Sequence, residues 1–168
     1  LVSNSINHPA VMKFNDINSN FDITMELAEC DLHKLISNKS HTLDQLYDIM
    51  KQILCGLDAL HDRKFAHNDI KSQNIVLVKE SPKLIDFGIS TRYDIITNQG
   101  VVQTITHRAP EIYDEYLVIN DSADVWAFGC TLFECIYNRQ ITNNSTRTLS
   151  APQEIVSIID TSHRSTHD

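Results

Sequence analysis

Asp69, Lys71 and Asn74 stand within one polar stretch, His67-Asn68-Asp69-Ile70-Lys71-Ser72-Gln73-Asn74, and Asp86-Phe87-Gly88 begins twelve residues after Asn74. An acid, a base, an amide and a second acid at these spacings suit phosphoryl transfer. One carboxylate can face a hydroxyl, while an amide oxygen and the other carboxylate can face Mg2+. A lone Asp-x-x-x-x-Asn is usually only a turn; the second loop, in order behind it, makes the pattern specific.

The elements around this stretch must hold it in place. Ahead of it, Thr42 can cap a helix in which Leu43, Leu46, Met50, Ile53, Leu54, Leu57 and Leu60 recur at threes and fours up to His61. Behind it, Ile75-Val76-Leu77-Val78 and Lys83-Leu84-Ile85 read as short strands joined by a turn at Ser81-Pro82, which would bring Asn74 and Asp86 to neighbouring strand ends. Near the start, Val11 to Phe14 and Phe21 to Leu27 read as a hairpin around a polar turn at Asn15 to Asn20. Asp31 can cap a short helix from Leu32 to Ser37. Ser122 can cap a longer one from Ala123 to Tyr137, apolar nearly all round and therefore expected to be buried, with Trp126 in the core. Asn138 to Ser150 reads as a polar loop, and Glu154 to Ile159 as one or two helical turns.

The 168 residues, 42% hydrophobic, suffice for one domain with a core. A formal net charge of -8 without any run of Lys or Arg argues against nucleic acid and anionic membranes as partners. No basic segment leads into an apolar stretch, and no run approaches eighteen apolar residues, which predicts an intracellular, soluble protein of the cytoplasm or nucleus. Cys30, Cys55, Cys130 and Cys135 form no C-x-x-C pair and read as reduced core thiols. Asn143-Asn144-Ser145-Thr146 has glycosylation spacing but reads as a polar loop. Because the chain begins at Leu1, further sequence upstream is expected.

The pattern H-x-D-x-x-x-x-N followed by D-F-G resembles the catalytic and metal-binding loops of eukaryotic-type serine/threonine protein kinases. The resemblance extends to Ala109-Pro110-Glu111, to Arg108 before it, which is similar to the cyclin-dependent and MAP kinase group, and to Asp124-Val125-Trp126-Ala127-Phe128-Gly129. It implies an α+β, mainly α fold: a small-lobe remnant with a β-hairpin over residues 1–27, then the hinge and an incomplete large lobe over 28–168. It also implies transfer of the ATP γ-phosphate to a Ser or Thr hydroxyl of a protein substrate. Asp69 would be the base, Lys71 would lie beside the transferred phosphate, and Asn74 and Asp86 would hold Mg2+. Thr104 would brace Asp69 and Lys71; Met25 would take the gatekeeper position, and the Glu26 carbonyl and the Ala28 backbone would meet adenine. His67 would orient the loop, and Asp124 would hold the loop backbone from below.

Three departures from the family pattern carry expectations. The four glycines, at 56, 88, 100 and 129, form no G-x-G-x-x-G loop, and no V-A-I-K string precedes the hinge. Two readings follow: a kinase whose phosphate-covering parts lie upstream, or a truncated kinase or pseudokinase that serves as a binding scaffold. Asn68 stands where an arginine usually pairs with a phosphorylated activation loop, so phosphorylation at Thr91, Tyr93 or Thr97 is not expected to be the main switch. Glu111 would need an arginine partner, for which Arg139, Arg147 and Arg164 are the candidates. A regulatory protein partner is compatible with this family, but no motif identifies one.

Overall fold

The computed structural model describes residues 2–20, 22–93, 104–109 and 120–139. A four-residue helix, α1 (Val2–Ser5), leads to a hairpin of β1 (Phe14–Ile17) and β2 (Ile23–Met25). The hairpin starts three residues later than the apolar pattern implies. Val11 and Met12 are drawn out of it into the main body, where Val11 bridges Leu84 in parallel and the Met12 N–H donates to the Leu84 carbonyl at 2.9 Å. Both side chains are buried there.

The strand β3 (Cys30–Asp31) passes directly into α2 (Leu32–Ser37), with the Asp31 carboxylate accepting from the Lys34 N–H as the sequence predicts. Next comes α3 (Leu43–His61), entered through a reciprocal capping box between Thr42 and Gln45. Its buried face carries Leu46, Met50, Ile53, Leu57 and Leu60 as expected. Leu43 and Leu54 instead point outward, because at about 100° per residue both fall on one flank just outside the buried stripe that Ile49 and Gly56 complete. At Gly56 the absence of a Cβ is required: an added one would lie 3.1 Å from the Ala10 Cβ and 3.3 Å from the Ala10 carbonyl oxygen.

After α3 come β4 (Phe65–Ala66), the stretch His67 to Asn74 with a 3-10 turn at Ser72–Asn74, and the strands β5 (Ile75–Val78) and β6 (Ser81–Leu84). The hairpin turn lies at Lys79-Glu80, two residues before the expected Ser81-Pro82. Both turn residues have positive φ, 50° and 66°, the handedness that matches strand twist in two-residue hairpins. Pro82 therefore lies inside β6, opposite Leu77. That pair is one step beyond the closing Val78–Ser81 pair, where an antiparallel ladder makes no N–H bond across the strands. Strands β3, β5 and β6 form one antiparallel sheet; β7 (Thr91–Arg92) pairs with β4 in another.

The last described helix, α4 (Ser122–Tyr137), is a correction of its sequence reading. Ser122 is its first residue, and Asn120 serves the start by accepting from the Ser122 N–H at 2.9 Å. The helix is not simply an apolar rod. Val125 and Ile136 are exposed and Trp126 is half-buried, while Asp124, Thr131 and Glu134 are buried. Its inner face thus carries polar groups, each with a partner.

One main core unites α2, α3, α4 and the β5–β6 sheet around Ile36, Ile53, Leu57, Leu60, Ile75 and Leu84. A smaller cluster of Met12, Val76 and Val78 receives Ala28 and Ile85. Cys130 and Cys135 are core thiols, pushed up to about 12 by burial, but Cys55 is exposed on α3. No described helix is long and apolar enough to cross a membrane. Thr97, Glu111, Arg147, Arg164, the Asn143–Thr146 stretch and the segment 154–159 lie outside the described residues.

Candidate active site

The stretch His67 to Asn74 is fixed from beneath by one side chain. Asp124, fully buried in the first turn of α4, accepts from the His67 N–H at 2.7 Å, the Asn68 N–H at 2.8 Å and the His61 Nε2 at 2.9 Å. Two backbone donors that would otherwise be buried without partners are thereby satisfied. His67 completes the support. Its Nε2 meets the Ile85 carbonyl at 3.0 Å and its Nδ1 meets the Asp69 N–H at 3.3 Å, so the neutral ring donates from Nε2 and accepts at Nδ1. Burial keeps this imidazole neutral by lowering its pKa, against the raising fields of Asp124, Asp69 and Asp86 and the Ile85 hydrogen bond.

Above this floor, the Asp69 carboxylate is the centre of a closed set of contacts. Thr104 donates to its Oδ1 at 2.5 Å; Lys71 Nζ and Asn74 Nδ2 reach its Oδ2 at 2.6 and 2.8 Å. Lys71 also donates to Thr104 Oγ1 at 3.1 Å, and Asn74 donates to the Asp69 carbonyl at 2.8 Å. Burial pushes the Asp69 carboxyl upward, but hydrogen bonds from Lys71, Thr104 and Asn74 and the lysine charge outweigh it, so its pKa is lowered and it is ionised at neutral pH.

Asn74 spends both donors of its amide on Asp69, and its Oδ1 has no hydrogen bond among the described residues. Asp86 lies one residue beyond Ile85, whose N–H donates to the Asn74 carbonyl at 3.0 Å, so the two strand ends adjoin as the sequence predicts. Asp86 has a left-handed backbone, φ 62°, and an exposed carboxylate whose one hydrogen bond is from the Gly88 N–H at 3.3 Å. An open carboxylate and an open amide oxygen are hard donors that fit Mg2+, which keeps several non-protein ligands and needs few from the chain. The described residues hold no cluster of three His, Cys, Asp or Glu that would cage a metal alone.

A model of the protein kinase domain matches residues 1–167. The chain belongs to the protein kinase family. Among its relatives, the sporulation protein kinase mde3 of Schizosaccharomyces pombe is 33% identical over 146 residues, covering 76% of this chain and 26% of that protein. The mitogen-activated protein kinase MKC1 of Candida albicans is 30% identical over 139 residues, 78% of this chain and 27% of the other. Cell division control protein 2 homolog 2 of Trypanosoma brucei brucei is 32% identical over 148 residues, 81% and 42% respectively. The chain thus matches between about a quarter and two fifths of the length of these relatives. Kinases of this family use ATP and Mg2+ and act on proteins, and the fold is that of a partial kinase domain: a hairpin followed by a mainly helical lobe.

Of the residues singled out in the kinase sequence, Asp69, Lys71, Asn74 and Thr104 come together, with Asp86 at the adjoining strand end. Met25, Glu26 and Ala28 make no hydrogen bond to them. Met25 is exposed in β2 opposite Phe14, and the Glu26 carboxylate pairs with Lys83 at 3.0 Å. Ala28 packs on the small cluster that also receives Ile85. Arg139 stacks over the Phe133 ring, 5.7 Å from its centroid.

Sequence reasoning missed a second tier of this kinase site. Ser72, between Lys71 and Asn74, donates to Glu134 Oε2 at 2.9 Å; His33 Nδ1 lies 3.2 Å from Glu134 Oε1, and His107 Nε2 lies 3.9 Å from Oε2. Burial lowers the His107 pKa, opposed by Glu134. The signal was a single acid in the apolar run of α4, since an acid there must find donors.

Proposed function

We propose that this chain carries the phosphotransfer centre of a serine/threonine protein kinase, moving the ATP γ-phosphoryl group to a protein hydroxyl. Residues 1–27 form a small-lobe remnant and 28–168 the hinge and part of the large lobe. The observation that carries the reading is the Asp69 carboxylate, ionised and gripped by Lys71, Thr104 and Asn74. Asp69 orients the substrate hydroxyl and takes its proton as the new O–P bond forms and the bond from the γ-phosphorus to the bridging oxygen breaks, releasing ADP. Lys71, 2.6 Å from Asp69, puts a positive charge beside the transferred group, and Thr104 keeps acid and lysine in register. The Asn74 Oδ1 and the Asp86 carboxylate would hold Mg2+, which when bound would supply positive charge to the phosphate oxygens. Met25, the Glu26 carbonyl and the Ala28 backbone line the adenine end. An intracellular location, in the cytoplasm or nucleus, accords with ATP as co-substrate.

No G-x-G-x-x-G loop occurs among these 168 residues, so activity and nucleotide binding are tested separately. The first measurement is the melting temperature of the chain with and without ATP and Mg2+, beside Asp86→Asn. A Mg2+-dependent rise that disappears in the variant is expected; a hundredfold excess of nucleotide over its Kd stabilises by about 2.7 kcal/mol. Phosphotransfer to a generic Ser/Thr substrate follows, with Asp69→Asn expected to lower the rate about 10²- to 10⁴-fold. A folded chain with no nucleotide response overturns the catalytic reading and leaves a kinase-fold scaffold.

A further inference from the structure

Asp86 is positioned almost entirely by its neighbours. Its carboxylate is exposed and its backbone is left-handed, yet its own side chain accepts only the 3.3 Å bond from Gly88. What fixes it is the way the chain on either side is pinned to residues 67 and 68. On the near side the pin is His67 Nε2 on the Ile85 carbonyl. On the far side Asn68 Nδ2 donates to the Ile89 carbonyl at 3.0 Å and to Thr91 Oγ1 at 2.9 Å, and Ser90 Oγ donates to the His67 carbonyl at 3.1 Å.

Asn68 suits this task in three ways. Its backbone sits at φ 67°, a conformation that asparagine adopts more readily than most side chains. Its amide nitrogen supplies two N–H groups from one buried atom, and both are spent on the Ile89–Thr91 segment. Its Oδ1 is buried and has no partner, so the amide is turned wholly toward donation at the cost of its acceptor. An aspartate in its place would set a carboxylate against the Ile89 carbonyl, and a glycine would keep the backbone but remove both donors.

We infer that Asn68 is a positioning residue for Asp86: its amide pins the chain beyond Asp86 to a loop that Asp124 holds rigid, and so sets the geometry offered to Mg2+. This rests on the metal-binding reading of Asp86. The latch is made of neutral groups, so it is closed without any covalent modification of the segment.

The test uses the full chain as parent, Asn68→Gly, Thr91→Val and the double variant. The first readout is amide hydrogen exchange, which needs no nucleotide. Asn68→Gly is expected to speed exchange at Gly88 to Thr91 about threefold to tenfold while amides of α3 are unchanged. Thr91→Val should give a smaller change in the same direction, and the double variant no more than Asn68→Gly. Unchanged exchange in Asn68→Gly, or acceleration spread equally over α3, overturns the latch. The second readout is the Mg2+ concentration that gives half the nucleotide-dependent melting shift, expected to rise at least about threefold in Asn68→Gly. A parent that responds to Mg2+ with a variant that responds identically overturns the inference alone; a parent without any response overturns the metal reading of Asp86 and, with it, the positioning role.

Discussion

Replacing Asp124 with asparagine exchanges one carboxylate oxygen for an NH2 group at the point where α4 meets the loop that follows β4. The two oxygens divide three donors between them: Oδ2 takes the His67 N–H and His61, and Oδ1 takes the Asn68 N–H. Whichever way the amide turns, its nitrogen faces a backbone N–H, and one buried donor loses its acceptor. His61 can adapt by changing tautomer, but a peptide N–H cannot. One lost bond to a carboxylate sets the cost at about 2 kcal/mol, and a chain of this length would melt roughly 4–8 °C lower. Asp124→Ala strips all three donors at once and is expected to cost on the order of 3–5 kcal/mol. Urea unfolding of the three proteins gives the free energies, and amide exchange at His67 and Asn68 tests the location. An asparagine variant within about 0.5 kcal/mol of the parent, or an alanine variant no worse than asparagine, would refute the assignment of Asp124 as the loop's anchor.

Acidification should weaken the fold above the pH range in which Asp69 contributes. His67 and His107 are buried with pKa values held below the ordinary 6.5, so the unfolded chain binds more protons than the folded one just below that pH. The stability they contribute is complete above pH 6.5 and is lost as pH falls toward their folded values, by at most about 1.4 kcal/mol per pH unit for each histidine. Asp69, also lowered, adds its own loss only below its ordinary 3.8. Urea midpoints at pH 7.5, 6.5 and 5.5 check the sign, and a flat or rising trend on acidification contradicts it. At the α3 contact with Ala10, Gly56→Val should destabilise by about 1–3 kcal/mol, since the nearest atoms include backbone that cannot rotate away. Gly129→Ala, where an added Cβ meets nothing within 4 Å, serves as the control and should be neutral or stabilising by up to about 1 kcal/mol in the same unfolding assay.

Local signals in the sequence reached the elements whose causes are local. The caps at Asp31 and Thr42 depend on residues three positions apart, the length of α3 on a repeat every three or four residues, and the adjacency of Asn74 to Ile85 on one short hairpin. The errors came where distant packing overrode a pattern. Val11 and Met12 have strand character, but the edge at Leu84 claims them; Leu43 and Leu54 are apolar, but the stripe passes them by. At Lys79-Glu80 neither residue is a typical turn former, and the hairpin register imposes the left-handed geometry. In the site, the residue types and their order were readable, because the chemistry restricts them. The supporting bonds to Glu134 and from Asn68 were not, since they join residues 62 and 23 positions apart and depend on how a helix and a strand are docked.

The bonds from Asp124 to His67 and Asn68 also span the chain, closing over 57 and 56 residues. Helix α3 and the β5–β6 hairpin can form from neighbouring sequence as it leaves the ribosome, whereas the loop between them is ordered by an element made much later. A nascent chain that has reached residue 110 already contains Asp69, Lys71, Asn74, Asp86 and Thr104 but has no anchor for the backbone that presents them. Arrival of α4 is therefore the event that gives the backbone presenting these side chains its fixed geometry.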